Sequence, residues 1–270
     1  EVYSRGMRYL STERTKRAPR TAARNAATAL CLAGLLFLFT ASCTVRQQVE
    51  LGREGSGTAE IEVELHPMAV RYITDLIVFS GGTKPDSIFD PEAIDAAFDT
   101  IPDLSLRDLE IIGPGSLRIG LSFSDVRAVF TSQMGTEVVP VASASRKGSA
   151  SETMLYLDRD NYGAIVARVL VLSGMIAFED YLTGLLEPGP EEVILDMYEY
   201  AFEEYTEGKS VRDVLEESEI VLEFAVPNRI ISHRGGEIPE TEGDARIRYS
   251  VPLLDILTLD EPISYSFDYR

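Results

Sequence analysis

GTAEIEVEL, residues 57–65, alternates strictly: Ala59, Ile61, Val63 and Leu65 fall on one side of an extended chain, with Thr58, Glu60, Glu62 and Glu64 on the other. Successive side chains of a strand point to opposite faces, so this stretch reads as a strand with one buried and one wetted face. The same period recurs in SLRIGLSF (116–123) with Leu117, Ile119, Leu121 and Phe123. It returns in EIVLEFAV (219–226) with Ile220, Leu222, Phe224 and Val226, and in PISYSFDY (262–269) with Ile263, Tyr265, Phe267 and Tyr269. Strands with a single apolar face belong to antiparallel sheets, since parallel sheets covered on both faces need continuous apolar runs. Turn chemistry agrees: REGSG (53–57) joins VRQQVEL to TAEIEVEL, and GPG (113–115) joins LRDLEII to SLRIGLSF, both short enough for hairpins.

Helical spacing fills the intervals. Pro67 opens PMAVRYITDLIVF, where Val70, Ile73, Leu76 and Ile77 recur at three and four residues before Gly81-Gly82 stops the helix. PEAIDAAF from Pro91 is a second, shorter helix. After Pro190 the set Val193, Ile194, Met197, Ala201, Phe202 and Tyr205 predicts an apolar face over four turns. The stretch 135–150, GTEVVPVASASRKGSA, reads as an exposed loop. The expected fold is α+β: an antiparallel sheet built from hairpins, helices packed on one face, and a helical insertion at about 160–210 within a single domain over 53–270.

The 270 residues carry 44 acids and 25 bases, a net charge of -19. The first 43 residues hold seven of the bases and two of the acids, so the remainder stands at -24. A body so acidic is repelled by phosphate backbones and anionic headgroups, which argues against nucleic acid as a partner. Cys31 and Cys43 are the two cysteines, both in or beside one apolar run, so no disulfide framework supports the body.

That run, Ala26 to Ala41, follows a basic segment and is uncharged. It is short of the roughly 20 residues a helix needs to cross a bilayer, and reads as a secretion signal. Thr40, Ala41 and Ser42 are small residues directly before Cys43. FTASC thereby resembles the lipobox of bacterial lipoproteins, with Thr40 where that family most often has leucine, a looser box that spirochaetes and some other bacteria tolerate. The resemblance implies that the Cys43 thiolate is diacylated, that residues 1–42 are a signal peptide removed afterwards, and that 43–52 form a lipidated N-terminus and the start of the first strand. It places the protein in the cell envelope, on the periplasmic or outer-surface side of a bacterial membrane, held by palmitate-type chains. The other reading is an uncleaved membrane anchor with Cys43 a bystander.

Chemistry-bearing motifs are few. DRDNYG (158–163) puts Asp158, Asp160 and Gly163 at calcium-loop positions one, three and six, but Tyr162 and Val169 fall at five and twelve, where ligands are required. Asp160 or Asn161 as a helix N-cap explains the same residues. Glu60, Glu62 and Glu64 read as a solvated strand face rather than a cation site. His66 and His233 sit at turns, and zinc would require the two to meet in space. No cofactor is implied and no catalytic residue stands out, so an enzyme is not expected.

One segment remains, YGAIVARVLVLSGMIAFEDYLTGLL (162–186), apolar on nearly every side apart from Arg168. Such a helix must be buried. It is either a core helix, or it lines a cavity for a lipid-like ligand with Ile165, Arg168, Leu170, Met175, Tyr181 and Tyr198, joined by Tyr200 and Tyr205. The order of elements in GSGTAEIEVEL, GSLRIGLSFSD, VPNRIISHRGGE and PLLDILTLDEPISYSF is similar to that of LppM-like envelope lipoproteins, over about 46–132 and 215–270. That resemblance implies lipid or glycolipid binding and carries no catalytic motif. The expected function is a lipid-anchored, non-enzymatic envelope protein that binds a hydrophobic ligand or supports envelope assembly; the alternative is an interaction module with a filled core.

Overall fold

A computed structural model describes residues 43–52, 56–99, 103–124, 142–147, 150–172, 182, 185–206, 208–240 and 245–270. The chain is α+β, with two sheets and six helices among those residues. In order they are β1 (Cys43–Leu51), β2 (Gly57–Leu65), α1 (Pro67–Phe79), α2 (Pro91–Phe98), β3 (Leu104–Gly113), β4 (Ser116–Phe123), β5 (Ala142–Lys147), β6 (Ala150–Leu157), α3 (Arg159–Leu172), α4 (Glu191–Phe202), α5 (Val211–Glu216), β7 (Glu219–Ala225), β8 (Ile230–Arg234), β9 (Arg246–Pro252), α6 (Leu253–Thr258) and β10 (Ile263–Tyr269).

The larger sheet runs β3-β4-β2-β1-β7-β9. Both expected hairpins are there, with Val49 opposite Ala59 and Val45 opposite Val63 in the first, and Ile111 opposite Leu117 in the second. Its apolar face gathers Val45, Val49, Ile61, Val63, Leu117, Leu121, Leu222, Phe224, Ile247 and Tyr249, all at most 5 % exposed. Glu60, Glu62, Glu64, Arg118 and Arg248 lie on the opposite, wetted face. One pairing departs from the antiparallel expectation: β1 and β7 are parallel, Val45 beside Ile220 and Val49 beside Phe224. Ile220, Val221 and Leu222 are buried in succession, the continuous run that a central, parallel-paired strand calls for.

The second sheet, β5-β6-β10-β8, is antiparallel throughout. Part of the supposed loop 135–150 is therefore strand β5, whose ASASRK pairs with β6 from Ala142 opposite Leu155 to Lys147 opposite Ala150. Pairing to an amphipathic neighbour overrides a weak strand composition, most easily in a short edge strand. The two sheets meet through aromatic rings: Phe267 of β10 lies 5.1 Å from Phe224 of β7, and Tyr265 lies 4.7 Å from Tyr249 of β9.

The ends of β2 and β9 and the start of β7 lie at one end of the large sheet, where α1, α6 and α5 join them. His66 caps α1, its Nδ1 accepting from the Met68 N–H at 3.3 Å. Ser210 and Asp213 form a capping box on α5. α4 packs against α1, α5 and α6, and Tyr72 of α1 is wedged against Phe202 at 4.9 Å. Its buried face is Ile194, Leu195, Tyr198 and Phe202, whereas Val193 is exposed. The face is thus turned by about one residue from the one its spacing suggests. Helices and both sheets contribute to one apolar core. Among the described residues no helix is long and apolar enough to cross a membrane.

Candidate functional site

Cys43 is the first residue of β1, opposite Leu65, and its neighbour Thr44 sits between Glu64 and Glu219. It therefore stands at a central strand, at the sheet end that carries α1, α5 and α6. His66, one residue beyond Leu65, is held below its ordinary pKa by partial burial and then by the Lys209 and Arg71 charges. A neutral imidazole is also what the cap requires, since Nδ1 must accept.

The residues expected to line a ligand site are placed as follows. Ile165 on α3 is 2 % exposed and Tyr198 on α4 is fully buried; both belong to the common core. Arg168 and Leu170 lie on the last two turns of α3. Met175 and Tyr181 lie outside the described residues. Tyr200 does not join the set: it is 84 % exposed on the outer side of α4. Tyr205 is partly buried and donates to Asp75 Oδ2 at 3.0 Å, bridging back to α1.

Two polar side chains that sequence reading passed over lie inside. Gln47 is 3 % exposed and Thr153 is 1 % exposed, and neither Gln47 Oε1 nor Thr153 Oγ1 has a hydrogen-bond partner among the described residues. Gln47 lies on the apolar face of the large sheet, between Ile61 of β2 and Leu222 of β7, and Thr153 stands opposite Phe267 in the second sheet. Buried polar atoms without partners cost about 1–3 kcal/mol each, so they are rare in native interiors. In VRQQVEL, Gln47 falls in phase with Val45 and Val49, which by itself does not separate a buried amide from an exposed one.

The wetted face of the large sheet holds a groove of about 490 Å³ lined by Gln48, Glu50, Thr58, Glu60, Arg107, Asp108 and Arg118 around Gly120. Gly120 lies opposite Glu60 on β2 and Asp108 on β3, and its missing side chain leaves the depression. Arg118 orders one wall: it donates to Glu62 Oε1 through Nη2 at 2.8 Å and to Glu110 Oε2 through Nη1 at 3.0 Å, with Glu60 at 3.3 Å from Nε. Its pKa is raised, first by the Glu62 hydrogen bond. Glu60 and Glu62 are thus ion-pair partners of Arg118, and the groove presents both signs of charge to solvent.

DRDNYG is a helix start. Asp158, two or three residues before the expected position, is the N-cap: its Oδ1 accepts from Asp160 and Asn161 N–H at 3.0 Å. Asn161 Oδ1 accepts in return from Asp158 N–H, and its Nδ2 donates to the Tyr156 carbonyl at 3.1 Å. Asn161 is fully buried, so Asn161→Ala should cost about 2 kcal/mol by stranding those backbone groups. Urea unfolding checks this, and a loss below about 0.5 kcal/mol, the range of an ordinary surface change, would contradict it. Among the described residues no group of three or more His, Cys, Asp or Glu side chains is placed to hold a metal ion. His233 on β8 contacts the Gly235 carbonyl at 2.8 Å through Nδ1.

No family model matches the chain, and no curated protein matches it. Among solved structures it is similar to the folded domain of LppM from Mycobacterium tuberculosis, determined by NMR, with 11 % identity, a TM-score of 0.39, and coverage of 86 % of this chain and 91 % of that one.

Proposed function

We propose that this chain is a lipid-anchored, non-enzymatic protein of a bacterial cell envelope whose domain binds a hydrophobic or lipid-like ligand. The observation that carries the anchor is the run of small residues Thr40-Ala41-Ser42 directly before Cys43, at the end of the uncharged stretch Ala26 to Ala41. Cys43 itself lies in β1, so no linker separates that residue from the fold. Diacylation of the Cys43 sulfur would then hold the domain at the membrane, each buried methylene contributing about 0.8 kcal/mol.

The ligand rests on a different observation. Gln47 Oε1 and Thr153 Oγ1 are buried polar atoms without partners among the described residues, one in each sheet, and a hydroxyl or amide on an otherwise apolar molecule would pair with them. A second reading is favoured by the groove around Gly120: an open, mixed-charge depression suits a polar segment of a partner protein better than it suits a lipid.

Intact mass of protein extracted from membranes tests the anchor. The expected species is 43–270 plus a diacylglyceryl group; unmodified Cys43 or a retained 1–42 segment would overturn it. Native mass spectrometry of the same gently extracted sample tests the ligand. A co-purified lipid is expected, and bare protein leaves the partner-docking reading in its place.

A further inference from the structure

The absence of any spacer between the anchoring residue and the fold has a geometric consequence. β1 starts at Cys43 itself, and adjacent strands lie only about 4.8 Å apart, so acyl chains on Cys43 would hold this end of the large sheet against the lipid headgroups. What projects there then meets the bilayer. β2 delivers Leu65 directly opposite Cys43, and after His66 alone the chain enters α1. The first half of α1 is sunk in the body through Met68, Ala69 and Ile73. Its last residues are not: Val78 is 46 % and Phe79 80 % exposed, and every residue from 78 to 84 is exposed. At the same sheet end Ile112, beside the Gly113–Ser116 turn whose Gly115 carbonyl accepts from the Leu65 N–H, is 54 % exposed.

We infer that the tip of α1, Val78 and Phe79, is a second membrane contact that dips into the bilayer carrying the Cys43 lipid, with Ile112 at its margin. The inference rests on the anchor proposed above. A helix of 13 residues spans about 20 Å, so the tip lies within about that distance of the point where α1 leaves the anchored end. The remainder of the tip, SGGTK, brings no acid and one snorkelling Lys84. Because the body carries -24, the contact must be apolar rather than electrostatic, and neutral phosphatidylcholine should support it as well as anionic lipid.

The chain contains no tryptophan, so Phe79→Trp installs a single reporter at an exposed position that tolerates it. The processed, lipidated protein carrying this change is reconstituted in phosphatidylcholine vesicles with and without brominated acyl chains. Glu50→Trp, exposed and seven residues along β1 from Cys43, is the control. Roughly two-fold quenching is expected at 79, as for a ring about 5–10 Å inside the headgroup boundary, with none at 50 and no change on adding salt. Unquenched emission at 79 in protein whose mass shows a lipidated Cys43 overturns the inference and leaves the anchor standing. Blue-shifted but unquenched emission does the same, since it reports a protein surface over the tip. Equal quenching at 79 and 50 also overturns it, and an unmodified Cys43 removes the anchor and the inference together.

Discussion

Phe202→Ala should lower the unfolding free energy by about 3–5 kcal/mol, the range for deleting an aromatic ring from a packed core. Phe202 is fully buried at the end of α4, and its ring lies 4.9 Å from that of Tyr72 and 5.8 Å from that of Tyr198. Truncation removes the group that locks α4 to α1. Two terms add: the lost transfer of the ring from water, and the void left between helices already fixed by the Tyr205–Asp75 hydrogen bond. Ring-to-ring geometry contributes a further share, about 0.5–1.5 kcal/mol per pair. Tyr200→Ala, two residues earlier and 84 % exposed, should change stability by no more than about 0.5 kcal/mol. Urea unfolding of the two variants side by side settles the matter. Similar midpoints would mean that α4 is not seated on α1 as the ring contacts require.

That contrast also shows what the residue pattern could and could not convey. Strict alternation found β2, β4 and β10, and also β7 through Ile220, Leu222 and Phe224 although Val221 is buried as well, and the glycine-rich turns pointed to two hairpins whose registers only the structure supplies. β6 and β9 carry the same signal, Thr153, Leu155 and Leu157 in one and Ile247, Tyr249 and Val251 in the other, but it is diluted by charged and small neighbours. β5 has no such signal; ASASRK is a strand only because β6 lies beside it. The parallel pairing of β1 with β7 joins residues more than 170 positions apart, and nothing local in either strand specifies a partner at that distance. For α4, spacing alone admits two overlapping apolar faces; α1, α5 and α6 choose the one that hides Tyr198 and leaves Val193 in water.

The candidate site divides along the same line. The proposal for Cys43 could be made from the sequence because a covalent modification there would depend on its immediate neighbours, Thr40, Ala41 and Ser42. Gln47 and Thr153 were not legible there, since an amide or hydroxyl on an apolar face becomes unusual only once both sheets are in place and no partner reaches it. The groove at Gly120 likewise needs three strands in register before a missing side chain becomes a depression.

Cys43→Ser should abolish lipid attachment completely while leaving the domain folded. With the anchor proposed above, serine would present no thiolate, a sulfur-directed acyl transfer would find no nucleophile at 43, and a signal cut only after acylation would stay joined as residues 1–42. The fold should be indifferent, because position 43 is the terminal residue of β1 and strand pairing there runs through the backbone. The proposed anchoring and the folding would thereby be separable at one atom. The expected readout is total loss of incorporated fatty acid, with a urea midpoint unchanged from that of the unmodified parent domain. The energetic contrast is large: two acyl chains with about 0.8 kcal/mol per methylene hold a protein at a bilayer for as long as it exists, whereas the apolar run 26–41 is shorter than the roughly 20 residues that span one. Alkaline extraction should therefore release the serine variant and spare the parent. Fatty-acid label persisting in the variant would move the attachment to another residue, and with it the reason for expecting the α1 tip to face lipid.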